Sequence, residues 1–183
     1  NFFNYIDKEK EIEINYSEGF IKIHETEFDK TGYYPFEMKT SSSSGKIYVK
    51  LEFDGISDYF LFDTGNFTGI ILNNEIFKNL ENKKISFTTI SATINGYITN
   101  HFSIYNSKLK LSNNMSIDQY VALDQQSKRS TLSFKFIKKF NWLIDRKNNK
   151  IYCKPINYNK LNSKYILPKN SKSVGIINNK LVV

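Results

Sequence analysis

A tripeptide turn in the first half of the chain holds the residue types best suited to catalysis. The apolar run Tyr59–Phe62 leads into Asp63, Thr64 and Gly65, and a second apolar run, Gly69–Leu72, follows. This pattern predicts a carboxylate on a tight turn where a buried strand ends. Gly65 is expected to take a backbone conformation closed to other residues, and the Thr64 hydroxyl to fix the turn. A carboxylate in that position is costly unless it is hydrogen-bonded, which makes Asp63 a candidate functional group.

Other residues that could do chemistry lack the surrounding patterns that such chemistry requires. His24 and His101 flank no nucleophile or metal-ligand motif and are interpreted as ordinary strand or surface histidines. The sole cysteine, Cys153, can form no intrachain disulfide and is expected to be a buried, inert thiol. Ser41–Ser44 predicts a flexible loop, and the sequence has neither a Gly-x-Ser-x-Gly motif nor a glycine-rich phosphate loop. No metal and no cofactor is expected.

Short segments rich in Ile, Phe, Tyr and Thr recur along the chain, separated by Asn, Gly, Ser and Asp. This pattern is typical of β-strands. The predicted strands are Glu11–Tyr16, Gly19–His24, Lys46–Phe53, Asp58–Phe62, Gly69–Leu72, Ile85–Thr93, Tyr97–Ile104 and Trp142–Ile144. In the third of them, Ile47, Val49, Leu51 and Phe53 alternate with other residues and must share one face of a sheet.

Two further segments have the spacing of amphipathic helices. Asn73–Leu80 begins with asparagines able to cap a helix, and Thr131–Phe140 places its apolar side chains on one stripe. The lysines of the second segment, Lys135, Lys138 and Lys139, are expected to form a solvated face. The aromatic residues assigned to the core are Phe60, Phe62, Phe136, Phe140 and Trp142.

The Asp63 turn resembles the active-site loop of the aspartic proteases, in which two hydrophobic residues precede Asp-Thr/Ser-Gly and a second strand follows. In the single-lobed, retropepsin-like members a flap hairpin comes next. Here Ile85–Ile104 alternates apolar and polar residues around Asn95 and Gly96, a dipeptide that strongly favours a hairpin turn.

The resemblance continues to about residue 155. Retropepsin-like lobes close with two hydrophobic residues and a glycine, a short helix and a last strand. Thr131–Ser133, the helix Phe134–Phe140 and the strand Trp142–Ile144 match that order. The segment 145–152 then resembles the Asp-x-Lys-Asn-x-Lys hairpin that ends many bacterial aspartyl protease domains.

The resemblance implies a mainly β fold, a retropepsin-like closed barrel with one or two short helices, that acts as a homodimer. It implies an aspartic endopeptidase whose substrate is an extended peptide held under the flaps. The implied site residues are Asp63, Thr64 and Gly65 in the catalytic loop and Ile94, Asn95 and Gly96 in the substrate-binding flap. Because the chain has a single Asp-Thr-Gly, the dyad requires Asp63 from two copies, which share one proton around a water.

Two positions depart from the family pattern. Asn66 stands where Ala, Ser or Thr is usual, and Ser133 stands where the family has a glycine before its helix. Both positions border tightly packed loops, so a catalytically inactive relative that binds a peptide or protein is the alternative function. A third hypothesis is a basic adhesive or nucleic-acid-binding β-domain in which Asp-Thr-Gly is an ordinary turn.

The net charge of +8 bears on that third hypothesis. Only Arg129 and Arg146 are arginine, the residue that reads bases and grips phosphate in a fork, and the other positive residues are lysine. The charge pattern therefore argues against nucleic acid as a partner. The partners that the resemblance implies are a peptide or protein substrate and a second copy of the chain, and no membrane insertion is expected.

The 183 residues are enough for one domain with a buried core. The expected divisions are a β-rich N-terminal extension (1–40), the retropepsin-like lobe (41–157), and a linker with the start of a further module (158–183). Val174–Val183 resembles the opening of the PDZ module that some bacterial relatives carry. No apolar run predicts a transmembrane helix, and any signal peptide is expected to precede residue 1. The single cysteine and the resemblance favour a periplasmic or secreted location.

Overall fold

The computed structural model describes residues 6–66, 69–78, 84–93, 96–125, 127–164, 175–177 and 180–182. Within these ranges the chain is mainly β. The strands are β1 (Glu11–Asn15), β2 (Phe20–His24), β3 (Tyr34–Thr40), β4 (Ile47–Phe53), β5 (Ile56–Asp63), β6 (Ile70–Asn73), β7 (Lys84–Thr93), β8 (Gly96–Ser112), β9 (Met115–Asp124), β10 (Ser130–Ser133), β11 (Phe140–Asp145), β12 (Lys150–Pro155), β13 (Gly175–Ile177) and β14 (Lys180–Val182). The helices are α1 (Asn74–Phe77) and α2 (Phe134–Ile137), and a 3-10 turn spans Tyr158–Lys160.

Six strands close into a barrel. They follow in the order β4-β5-β10-β6-β9-β8, and the ring closes where Leu109 on β8 pairs with Phe53 on β4. β10 runs parallel to β5, and β9 runs parallel to β6, while the other neighbours are antiparallel. The alternation in β4 fits this wall, because every second side chain from Ile47 to Phe53 is buried. Closure leaves these strands without a free sheet edge over their paired residues.

The interior of the barrel is apolar and aromatic. The rings of Phe53 and Phe60 lie 5.3 Å apart, and those of Phe62 and Trp142 meet edge to face at 5.1 Å. All five aromatic residues assigned to the core from the sequence are buried. Burying such large side chains removes much apolar area from water, so this cluster is a main source of the fold's stability.

The order of elements expected from the retropepsin resemblance is confirmed. A strand that ends in Asp63 is followed by a second strand, a long hairpin, a short strand, a helix and a closing hairpin. The predicted helices are wrong in extent, since α1 and α2 have four residues each. Asn73 does cap α1, because its side chain accepts the Glu75 N–H at 2.9 Å. Thr131–Ser133 is strand rather than helix, because β10 lies between β5 and β6 and bonds to both.

The first 40 residues contribute to the same sheet. β1 pairs with β11, β2 lies outside β1, and β3 lies between β12 and β4. The sheet therefore crosses the division expected near residue 40. Near the C-terminus β13 pairs with β14, and a PDZ-like module there stays a prediction. In the part of the chain described above, no helix is long and apolar enough to cross a membrane.

Candidate active site

Asp63 lies where the sequence predicted it, at the C-terminal end of β5. Residues 60–62 before it are buried in the barrel wall, whereas Thr64 and Gly65 after it are exposed. Asp63 itself is half-buried. The carboxylate can therefore meet solvent or a ligand while the strand that carries it is anchored in the core.

Residues 63–66 and 69 are called the Asp63 loop below. Backbone hydrogen bonds clamp this loop to the junction of β10 and α2. Ser133 lies beside Asp63 in the parallel pairing of the two strands. The Ser133 N–H donates to Gly69 O at 2.7 Å, and the Phe134 N–H donates to Asn66 O at 2.7 Å. Asn66 and Gly69 are thus bonded to one short stretch of chain, and Asp63 is paired beside the same stretch, so main-chain contacts hold the loop in place.

Gly65 has a different role from the one predicted. Its φ lies outside the left-handed region, so the turn does not need glycine for its backbone conformation. Its N–H donates to Asp63 Oδ1 at 3.0 Å, and a Cβ here would lie 3.4 Å from the same oxygen. That distance is an ordinary van der Waals contact, so the space beside the carboxylate does not require glycine either. Among the described residues of the loop, Gly69 has a positive φ, 112°, where the chain returns to the wall.

A buried serine on β10 joins the strands on both sides of the loop, and sequence reasoning missed it. Ser130 on β10 is fully buried, and its hydroxyl donates to Asp58 Oδ2 at 2.6 Å and accepts the Asn73 N–H at 2.9 Å. The bond to Asp58 joins residues 72 positions apart. No local pattern around either residue signals this contact.

Lys135 and Lys138 are exposed as predicted, but Lys139 contradicts the expectation of a solvated face. Its ammonium donates to three neutral oxygens: Gln119 Oε1 at 2.9 Å, Ser163 Oγ at 3.2 Å and Leu161 O at 3.3 Å. Burial lowers the pKa of this amine. Helical periodicity assigned the side chain to an outer face, and a later part of the chain covers that face.

The covering segment is residues 157–164, called the strap below. The Asp118 N–H donates to Asn162 Oδ1 at 2.7 Å, and the Ser163 N–H donates to Asp118 O at 2.7 Å. Leu161 is buried in the core, and its carbonyl accepts the side-chain amide of Gln119. The strap therefore bonds to β9 at Asp118 and Gln119, outside residues 122–124, which pair with β6.

The hairpin predicted as a flap is present. β7 pairs with β8 in an unbroken register that ends at Thr93 opposite Gly96. Gly96 is therefore the first residue of β8 rather than a turn residue, while Ile94 and Asn95 lie outside the described residues. Among the described strands, β9 joins β8 only from Phe102 onward, so the far part of the hairpin extends beyond the barrel. Contact of this hairpin with substrate stays a prediction.

The other residues considered for chemistry, His24, His101 and Cys153, have contacts or burial within the fold. His24 Nε2 lies 2.9 Å from Glu13 Oε2 on the neighbouring strand, and His101 Nδ1 lies 3.2 Å from Thr88 Oγ1. Cys153 is buried, as the sequence predicted, and burial raises the pKa of its thiol well above the usual range. Within the described ranges, no group of three or more His, Cys, Asp or Glu side chains is arranged to hold a metal ion.

Comparison with solved structures finds proteases of the retropepsin type. A retropepsin-like aspartic protease from Rickettsia conorii matches with a TM-score of 0.44 and 15% sequence identity, over 70% of this chain and 96% of that one. EIAV protease, in complex with the inhibitor HBY-793, matches with a TM-score of 0.41 and 13% identity, over 55% of this chain and 92% of that one. No protein-family model and no curated protein matches the chain.

Proposed function

We propose that the chain is an aspartic endopeptidase that works as a homodimer. The observation that carries this proposal is the Asp63 loop, a half-buried carboxylate at the end of a buried strand, clamped by backbone bonds to β10 and α2. A fixed carboxylate that solvent can reach is suited to proton transfer. One carboxyl group cannot be acid and base at once, so Asp63 of a second copy completes the dyad.

In the proposed reaction the two Asp63 carboxyl groups share one proton, because like charges so close together cannot both be ionised. The ionised group takes a proton from a water molecule as the water oxygen attacks the scissile carbonyl carbon. The protonated group donates to the carbonyl oxygen. The dyad then passes a proton to the amide nitrogen as the C–N bond breaks, which releases a carboxylic acid and an amine.

The two departures from the family pattern leave the loop clamp intact. Asn66 contributes its carbonyl and Ser133 its N–H, and both are backbone groups that any residue supplies. Ser133 has a φ of −109°, a conformation that needs no glycine. These observations favour an active enzyme over the alternative function, an inactive relative that binds a peptide or protein.

Cleavage of a diverse peptide pool, followed by mass spectrometry from about pH 3 to pH 8, tests this proposal. Asp63→Asn should lower cleavage by ~100-fold or more, because an amide cannot take up the proton of the attacking water. The amide oxygen can still accept the Gly65 N–H, so the loop should keep its shape. Asp29→Asn, at an exposed turn carboxylate, is the matched control and should cleave as the wild type does.

Cleavage that survives Asp63→Asn would contradict the proposal. If neither the wild type nor any variant cleaves the pool, the inactive peptide-binding relative becomes the better function.

A further inference from the structure

The apolar face of the β1–β2 hairpin continues past the core to the molecular surface. Ile21 pairs with Ile14, and Ile23 pairs with Ile12, so the four side chains share one face of the sheet. Ile12 and Ile14 are buried, whereas Ile21 is 58% exposed and Ile23 is 41% exposed. β2 also forms one edge of the large sheet, so its outer backbone groups and its apolar side chains lie together.

This face reaches the Asp63 loop through two aromatic residues. Tyr16 follows β1 and packs partly buried against the core, with its ring meeting Phe134 edge to face at 5.9 Å between centroids. The Phe134 N–H in turn holds Asn66 O, within the loop that begins at Asp63. Tyr16, Phe134, Ile21 and Ile23 are called the apolar stripe below.

We infer that the apolar stripe is the surface on which a second copy of this chain binds. The inference rests on the proposed function, in which two Asp63 carboxyl groups meet across a two-fold axis. Surfaces that border the Asp63 loop must then lie close to that axis and face the partner copy. The stripe borders the loop through Phe134 and ends in exposed isoleucines, so a copy seated on it buries apolar area and brings a second loop to the first.

The charges around the stripe suit a contact between identical surfaces. Glu18 is exposed on the turn between β1 and β2, while Lys135 and Lys138 are exposed at α2. Lys138 Nζ lies 5.5 Å from the centre of the Phe134 ring, at the border of the stripe. Across a two-fold axis, the acidic turn of one copy can meet the basic helix of the other, so the same surface supplies both partners of an ion pair.

Sedimentation of the wild-type chain beside an Ile21→Lys/Ile23→Lys double variant tests the inference. A two-fold contact buries each isoleucine twice, so the dissociation constant of the dimer should rise by about 100-fold or more in the variant. Peptide cleavage at low protein concentration should fall in proportion to the remaining dimer. Ile76→Lys replaces an isoleucine that is 40% exposed on α1, and as the matched control it should change neither quantity.

Far-UV circular dichroism and thermal unfolding show whether the double variant is folded. Both isoleucines are exposed, so the fold should survive the substitutions. If the double variant does not fold, Ile21→Ser makes the same test without an added charge and with a smaller expected rise in the dissociation constant, about 10-fold.

The outcomes separate this inference from the proposed function. A dimer with an unchanged dissociation constant in the variant overturns the inference, even if the chain cleaves peptides. A dimer that is lost in the variant, in a chain that cleaves nothing, supports the contact surface and rejects the protease. A wild-type chain that stays monomeric while it cleaves peptides through Asp63 overturns the inference and the two-copy dyad together.

Discussion

The Asp63 loop and the strap hold a charged group in opposite ways. Main-chain bonds fix the Asp63 loop, and the carboxylate lies half open at the end of its strand. The Lys139 ammonium instead gives its three N–H donors to oxygens of Gln119 and the strap. In the proposed enzyme the Asp63 carboxyl group has to stay reachable by substrate and is positioned by the backbone, whereas the Lys139 ammonium is fully engaged by its contacts.

Gln119→Leu should sharpen this comparison most, because it removes a buried side chain that bonds both to Lys139 and to the strap. Gln119 is 1% exposed, and the change leaves the Lys139 ammonium and the Leu161 carbonyl with one partner fewer each. The free energy of unfolding should fall by about 2–3 kcal/mol in urea titrations. Asp63→Asn should change it by less than about 0.5 kcal/mol.

Gln125→Leu, at an exposed glutamine, is the matched control for that experiment and should also stay within about 0.5 kcal/mol of the wild type. Equal falls in the free energy of unfolding for Gln119→Leu and Asp63→Asn would show that the contacts of the two side chains contribute alike to stability.

Ser133→Gly tests whether the loop clamp depends on the side chain at this position. Ser133 is fully buried with an extended backbone, so glycine should lower the free energy of unfolding by about 1 kcal/mol through the greater freedom of the unfolded chain. The clamp uses the backbone N–H, and peptide cleavage per folded molecule should therefore stay unchanged. Cleavage that increases strongly in the glycine variant would show that the serine silences the site, and would favour the inactive relative.

Lys139→Met should change how the free energy of unfolding depends on pH, and the sign of that change follows from the burial of the amine. Burial lowers the pKa of Lys139, so the folded protein releases this proton below the usual value of 10.5. Between the lowered pKa and 10.5 the unfolded chain binds more protons than the folded one, and the stability contributed by this lysine rises with pH. The difference in free energy of unfolding, wild type minus variant, should therefore increase as the pH rises through that window.

Urea unfolding at several pH values measures this difference, with Lys138→Met, at an exposed lysine of the same helix end, as the matched control. If the difference in free energy of unfolding between wild type and variant instead decreases as the pH rises, the surroundings of Lys139 do not disfavour its charged form.

Local patterns in the sequence predicted the elements but not the contacts between distant elements. The Asp63 turn, the β7–β8 hairpin and the strand around Trp142 each carry a signal within a few residues, and the structure contains all of them. The bond from Ser130 to Asp58 has no such signal, because its partners come together only when β10 lies beside β5. Lys139 was assigned wrongly for the same reason, since helical spacing places a side chain on a face without showing what covers that face.

The long-range pairing of β1 has a consequence for synthesis. β1 pairs along most of its length with β11, which ends at Asp145. A chain made from its N-terminus therefore presents the β1–β2 hairpin to the cell while the partner strand and most of the barrel are still missing. Until then Ile12 and Ile14 lie on a free edge of the hairpin that a strand of another nascent chain can occupy. Docking of β1 onto β11 therefore has to wait until Asp145 has been made, and it ends this exposure.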